Sequence, residues 1–427
     1  MAKNSVAHLE HTSLPEHHEM LKRYIEARTQ TLKLAEPLSP EDQMVQFMPD
    51  ASPTKWHLAH TTWFFETFIL TPHVRDYAPF DARYKFLFNS YYKQLGGHPN
   101  RAIRGAFSRP ELYEILRYRN HVDNCVQTLC EREVSDELLQ LLELGLNHEL
   151  QHQELIVTDI KHAFWTNPLQ PNYQPSQIKA YESASQPLFW IAFDEGLYEA
   201  GHDGDGFAFD NELPRHRTYI KPFRFASRLV TNAEYLEFMA DGGYQRAELW
   251  LSDAWDHIHA NGWTAPLYWE QEGDVWYVFT CGGRVLLNPY EPVCHVSFHE
   301  ADAYARWAGA RLPTEFEWEL AANSAEIRGN LLESGTYHPS PAHSATKLQQ
   351  VFGGAWEWTA SPYGAYPGYR PPAGPIGDTT AFMCNQMVLR GGSCATPVSH
   401  IRASYRNFFA PQARWQFSGI RMADDCI

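Results

Sequence analysis

Asn147-His-Glu-Leu-Gln-His-Gln-Glu154 lies inside a run, Ser135 to Phe164, whose apolar residues return at three-and-four spacing. That period belongs to a helix, so His148 and His152, at i and i+4, leave one face a turn apart. Two neutral imidazoles converging in this way suit zinc, iron or copper. With 21 histidines in 427 residues, such pairs also arise by chance on solvated faces, and the pair alone does not decide for a metal. Gln151, three residues after His148, lies near the same face. Glu154 faces elsewhere and is poorly placed as a third ligand.

Three more stretches carry the same period: Glu16 to Glu36, Lys55 to Leu70 and Arg109 to Cys130. Ser108-Arg109-Pro110-Glu111 reads as a helix start, with an N-cap serine, an early proline and a glutamate three residues on; Ser135 caps the last run. Four helices predict an up-down bundle over residues 1–165, a fold that builds metal sites from inward-facing side chains. A third ligand must then come from another helix. Trp56-His-Leu-Ala-His-Thr-Thr-Trp63 offers His57 and His60. Trp56, His60 and Trp63 share one stripe, His57, Thr61 and Phe64 another, so periodicity does not choose between them. The string His148-Glu-Leu-Gln-His152 also satisfies the pattern of zinc metalloproteases, which leaves a zinc hydrolase with Glu149 as base as a rival reading.

Beyond the helices, residues 166–187 are rich in Pro, Asn, Gln and Ser and read as a linker. From 188 to 427 the texture changes to Gly, Pro, Trp and short β-like runs, as in Phe189–Phe193, Val275–Thr280 and Arg284–Leu287. Two helix-like pieces interrupt them, Asn232–Met239 and Phe298–Gly309. The fold class expected is α+β and multidomain, a helical domain followed by an irregular one. A chain of this length predicts two domains, and 44% hydrophobic residues with 14% aromatics supply their cores. A net charge of −16 works against binding a phosphate backbone, so no nucleic-acid partner is expected. No apolar run approaches the roughly 20 residues that cross a bilayer, and no membrane partner is expected. The first twenty residues lack the apolar segment of a secretory signal, which points to the cytoplasm. Seven cysteines without a CxxC pair read as reduced thiols.

Trp56-His-Leu-Ala-His60 and the His148/His152 segment resemble the DinB-like helical domain of the ergothioneine-biosynthesis sulfoxide synthases, the EgtB family. Arg311-Leu-Pro-Thr-Glu-Phe-Glu-Trp-Glu319, Gly354-Ala-Trp-Glu-Trp-Thr359 and Val388-Leu-Arg-Gly-Gly-Ser393 resemble the formylglycine-generating-enzyme-like, C-type-lectin-like domain that follows it there. The resemblance covers nearly the whole chain in the family's domain order. It implies a mononuclear Fe(II) held by His60, His148 and His152, with His57 beside the site or at the surface. It implies a reaction in which O2 couples a cysteine-type thiol to the imidazole C2 of hercynine and leaves a sulfoxide. Small-molecule substrates and O2 are then the partners, and no oligomeric state is implied.

Gln151 is placed to bond the substrate imidazole, as the equivalent position does in the family. Asn89-Ser-Tyr91-Tyr92 precedes a Gly-Gly turn, and a phenol there, Tyr91 or Tyr92, can give a proton to a reduced oxygen species. Arg101 and Arg104 can clamp a substrate carboxylate. Phe408, Phe409, Trp415 and Phe417 can cradle a trimethylammonium on their ring faces. Arg390 and Trp356 read as structural. Some relatives place an acidic residue just after the loop tryptophan, where this chain has Gln416; that leans towards free cysteine over γ-glutamylcysteine as thiol. Ovothiol-type relatives act on histidine and commonly carry a methyltransferase domain after these two. A non-enzymatic lectin-like module is a third class, and the copper-binding cysteine pair of formylglycine-generating enzymes has no convincing counterpart here.

Overall fold

The computed structural model describes residues 14–132, 134–176, 186–343, 347–372 and 382–426, so part of the expected linker lies outside the described residues. The chain divides into two compact units, Met1–Ile156 and Val157–Ile427. No helix among the described residues is long and apolar enough to cross a membrane.

The first unit is built from α1 (Leu14–Ala35), α2 (Thr54–Phe65), α3 (Leu112–Cys130) and α4 (Asp136–Thr166), whose last turns belong to the second unit. The dividing point thus falls within a helix, ahead of the stretch expected to be a linker. Helix α2 packs on α1 and α3 and is buried on every side, all 12 residues of it. A helix enclosed in this way has no polar face to announce its orientation. Its approach to α4 is close at Gly145, where a Cβ would meet Phe65 Cε1 at 2.7 Å and Phe64 Cε1 at 2.9 Å. Helix α2 does not run on to Leu70 in α geometry. Glu66–Leu70 is one π turn, with Thr71 N–H on the Glu66 carbonyl, and Pro72 has no N–H with which to continue the α ladder.

Ser135 caps α4 as expected, taking Leu138 N–H at 3.3 Å. Ser108 does not cap α3, which starts at Leu112 behind Glu111. The Phe107, Ser108 and Pro110 carbonyls instead converge on Lys55 Nζ at 3.1, 3.2 and 2.9 Å. A buried ammonium needs those acceptors more than the helix end needs a serine.

The second unit is an irregular α+β body. Strands β1 (Trp190–Phe193), β2 (Gly196–Ala200), β3 (His216–Ile220) and β4 (Phe223–Ala226) come first, then α5 (Asn232–Ala240) and α6 (Ser252–Ala260). The meander β5 (Trp269–Glu272), β6 (Val275–Thr280), β7 (Gly283–Leu286) follows, then α7 (Phe298–Trp307), α8 (Glu315–Ala322), β8 (Trp356–Pro362), β9 (Met387–Arg390), β10 (Asn407–Phe409), β11 (Ser418–Gly419) and β12 (Ala423–Asp425). One sheet has the order β10-β9-β8-β11 and another β1-β4-β12, while β2-β3 is a hairpin.

Buried ions tie these small sheets to α8. Thr314 and Glu317 form a capping box at its start, and Arg311 clamps Glu317 at 2.7 and 2.8 Å. Glu315 and Glu319 turn inward to the fully buried Arg390 at 2.9 and 3.0 Å, and Glu315 also accepts from Arg406. Trp318 Nε1–H and Arg421 meet on Glu357. Replacing Arg390 with Met leaves two buried carboxylates short of a cation and is expected to cost about 3–5 kcal/mol, read as a lower urea midpoint for the second unit.

Candidate functional site

His60 on α2 and His148 and His152 on α4 each bring a ring nitrogen to within 4.8 Å of the others. Among the described residues this is the one cluster of three such groups able to hold a metal ion. His148 Nε2 and His152 Nε2 are 3.2 Å apart. Nitrogens on bonds of about 2.1 Å to a shared ion lie roughly 3 to 3.5 Å from each other, so this pair already has a ligating separation.

The ring of His60 is fixed by stacking. It lies between Trp56, at 4.4 Å and 15°, and Trp63, at 5.5 Å and 16°. Its Nδ1–H donates to the Phe88 carbonyl at 2.7 Å, which leaves Nε2 bare. The Arg104 guanidinium covers the other face of the stack, 3.5 Å from the Trp56 ring. On the α4 side, Phe64 lies against His148 at 4.9 Å, and His57 Nδ1 meets His152 Nδ1 at 2.7 Å. His57 is therefore buried beside the site. Burial pushes the His148 imidazole down to about 4 and holds His60 and His152 well below their ordinary value, with neighbouring imidazoles adding to the effect. Three neutral rings with bare nitrogens are what a divalent ion of borderline softness takes.

Glu149 is not part of this face. Its carboxylate is fully buried, accepts from Arg28 Nη1 at 2.8 Å, Arg119 Nη2 at 2.5 Å and Thr31 Oγ1 at 2.6 Å, and belongs to the ionic layer behind α4. Burial alone would raise that carboxyl, but Arg119 and Arg28 hold it down at about 2. A metalloprotease base has to reach a metal-bound water, and this one is turned away from the histidines. The geometry removes the zinc-hydrolase reading.

Tyr91 and Tyr92 sit in the loop that starts at Phe88, the residue that fixes His60. Asn89 pins the turn, its Oδ1 taking Tyr92 N–H at 3.1 Å and its Nδ2 giving to Tyr92 O at 3.2 Å. The two phenol rings stack at 4.6 Å. Tyr92 is buried against Trp63 and Phe68, and Tyr91 is 43% exposed. Burial raises the Tyr92 phenol well above its ordinary value, and Tyr91 adds to this. Gln151 is half-buried on α4, one turn from His148. Arg104 is buried and bonded to Ser52 Oγ at 2.9 Å; with Lys55, Trp56, Phe88 and Phe107 it lines a cleft beside the stack. Arg101 is not brought there: its guanidinium is exposed and rests on the Asp50 carbonyl.

The aromatic residues of the C-terminal segment separate into two groups within the second unit. Phe408 stacks on Tyr363 at 4.0 Å, and Phe409 meets Trp415 edge-on at 5.6 Å; all three segment rings are half-buried. Phe417 is fully buried, with Lys161 Nζ 4.9 Å from its ring and His295 at 4.9 Å. Its face is already covered, so it does not join a betaine cradle. The sequence reading missed Arg28 and Arg119, whose one signal was the buried charge that Glu149 needed, and missed the contact of His57 with His152.

Comparison with known proteins accords with this architecture. Residues 183–340 and 333–426 match the sulfatase-modifying factor enzyme 1-like domain, which places the second unit in that class. The chain is 30% identical to the hercynine oxygenase of Mycolicibacterium thermoresistibile, over 97% of its own length and 96% of the relative's. It is 37% identical to the hercynine oxygenase of Mycobacterium tuberculosis over 51% of this chain and 56% of that one. Against the formylglycine-generating enzyme of Streptomyces coelicolor it is 29% identical over 52% of this chain and 84% of that one. With similarity at this level along almost its entire length, the protein belongs to the hercynine oxygenase family, the sulfoxide synthases of ergothioneine biosynthesis.

Glu149→Gln keeps the shape of the side chain and removes the charge between two guanidiniums. It is expected to cost about 3–5 kcal/mol in urea denaturation of the first unit. A catalytic base would behave otherwise, losing activity at unchanged stability.

Proposed function

We propose that the protein is a non-haem iron(II) sulfoxide synthase that joins the thiol of cysteine to the imidazole C2 of hercynine. One O2 is consumed: the S–H and C2–H bonds break, a C2–S bond forms, one oxygen atom stays on sulfur and the other leaves as water. The observation that carries this reading is the buried cluster of three neutral imidazoles, with no carboxylate among them, in a chain related along its length to hercynine oxygenases. His60, His148 and His152 would hold the ion, and a bound Fe(II) supplies the chemistry of O2 activation and thiolate binding.

The chain's own residues do the rest. The tryptophan sandwich and the Phe88 carbonyl orient His60, and burial keeps the three rings uncharged. Gln151 serves the substrate imidazole from the ligand helix. The Tyr91–Tyr92 pair holds a proton at a phenol oxygen, where burial keeps Tyr92 protonated at neutral pH. Arg104 puts a fixed positive charge beside the stack, suited to a substrate carboxylate at the cleft. Free cysteine fits better than a larger thiol in one respect: Gln416, at the position where some relatives carry an acid, is buried and turned onto Phe417 N–H at 2.7 Å.

Three measurements test the proposal. Anaerobic loading followed by metal analysis is expected to show that His60→Ala, His148→Ala and His152→Ala each lose Fe(II), because removing any one of three neutral ligands costs most of the site's affinity. Aerobic incubation with hercynine or histidine against cysteine or γ-glutamylcysteine, scored by product mass, is expected to give the sulfoxide from hercynine and cysteine; turnover of histidine alone would move the protein to the ovothiol type. Tyr91→Phe and Tyr92→Phe keep the ring packing and remove one hydroxyl each. At least one of them is expected to divert product from the coupled sulfoxide to the sulfinate of the thiol, and a native ratio at native rate in both and in the double variant would exclude the pair as proton donor.

A further inference from the structure

Two indoles flank His60, and their surroundings differ. Trp56 stacks on one side at 4.4 Å, with the Arg104 guanidinium 3.5 Å from its ring. Its Nε1–H is buried and meets no acceptor. Taking an electron from Trp56 would set a ring cation against a fixed guanidinium, and like charges that close repel strongly inside a protein. Trp63 stacks on the other side at 5.5 Å and gives its Nε1–H to the Lys85 carbonyl at 3.3 Å. That bond draws the charge of an oxidised indole onto a carbonyl oxygen, which makes the electron easier to remove. From Trp63 the rings continue outward. Tyr92 follows at 5.5 Å, and Tyr91 stacks on Tyr92 at 4.6 Å. Trp63 is wholly buried, Tyr92 nearly so, and Tyr91 is exposed. Oxidisable rings therefore run in an unbroken series from His60 to water. Phe68, which touches both Trp63 and Tyr92, is hard to oxidise and offers no branch.

We propose that Trp63, Tyr92 and Tyr91 form an electron path from the site to the surface, which quenches at Tyr91 any oxygen reaction that fails to couple. This rests on the proposed reading of His60, His148 and His152 as Fe(II) ligands that serve O2 chemistry. Trp63 gives one electron to the oxidised centre, and Tyr92 refills Trp63. The proton that Tyr92 then sheds passes to water through the Tyr91 hydroxyl, to which it is hydrogen-bonded. Tyr91 returns a hydrogen atom to Tyr92 and is left as the radical. A thiol from solution restores Tyr91 with a hydrogen atom, and two thiyl sulfurs join as a disulfide. Four thiols and one O2 thus become two disulfides and two waters, with the thiol substrate as reductant. Proton donation in the coupling reaction needs a hydroxyl and no indole, so Trp63 separates that role from this one.

The test uses the whole chain loaded with Fe(II), treated with peracetic acid in the absence of thiol and hercynine, and freeze-quenched for electron paramagnetic resonance. The peracid takes two electrons and becomes acetic acid and water; Fe(II) gives one and a side chain gives the other. The native protein is expected to show a tyrosyl radical, identified by narrowing of its signal when tyrosine is ring-deuterated. A nitroso spin trap is expected to mark Tyr91. Trp63→Phe is expected to lose most of that signal per bound iron, whereas Trp56→Phe keeps it. Equal yields in the native protein and Trp63→Phe, or equal losses in the two tryptophan variants, would overturn the path. Tyr91→Phe removes only an exposed hydroxyl and keeps the fold. It is expected to move the damage inward, read as oxygen added to Trp63 in peptide mass maps. An unmodified Trp63 in that variant, or a native radical on a tyrosine outside the pair, also counts against the path. The two levels separate at the metal. A native protein that takes up no Fe(II) removes the ligand set and the path with it. Fe(II) held and peracid reduced without a tyrosyl radical leaves the ligand set standing and removes the path alone.

Discussion

Three imidazoles can share a few ångströms of dry interior only while none of them is charged. That constraint organises the first unit. It requires a helix buried all round, since water at any edge of α2 would restore the rings' affinity for protons. Most polar atoms on the helix then need a protein partner, and the Trp56 indole N–H is left without one. Phe88 O serves His60, His57 serves His152, three carbonyls serve Lys55, and Leu58 O takes the Thr62 hydroxyl at 2.8 Å. Behind α4 the same logic yields an ionic layer with matched charge. Arg28 and Arg119 face Glu149, and Arg28 also holds Asp123 at 2.6 Å.

How far the site was legible follows from the same burial. Helix α4 has an amphipathic stretch, so the period of its apolar residues placed His148 and His152 on one face. Helix α2 is enclosed, and an enclosed helix gives the hydrophobic pattern nothing to point away from. His57 and His60 were equivalent on that test, and both prove to be inside. The stripe of Trp56, His60 and Trp63 was visible in the numbering and is the stack that holds His60. Its meaning was not visible, because parallel rings and a surface ladder of aromatics have the same spacing. Glu149 was misleading for a different reason. The motif around it is local, while its partners are 121 residues away at Arg28 and 30 away at Arg119.

In the second unit the difficulty is the reverse. The segments that carry the resemblance hold charged residues, which ordinarily mark surface, yet Glu315, Glu319, Glu357 and Arg390 are interior. Many short strands bury little apolar area each, and paired ions with full hydrogen bonding fix how the pieces meet. Phe417 shows the limit of reading an aromatic-rich segment as a pocket. It stands one residue before β11, which pairs in parallel with the wholly interior start of β8, and its ring goes into the core with the strand.

Charge bookkeeping across the site bears on the substrate. A divalent ion held by three neutral rings keeps its full charge, and Glu149, the carboxylate next to His148, is committed to two arginines. Arg104 adds a further positive charge at the edge of the stack. The anion that offsets this field has to arrive with the substrates. In the proposed reaction a thiolate does so at the ion and a carboxylate does so at the cleft. A neutral nucleophile would leave the positive charge of the site unbalanced, whereas a thiol gains acidity from it. In the proposed reaction, a centre of three imidazoles leaves the negative charge to be supplied by the substrate's sulfur.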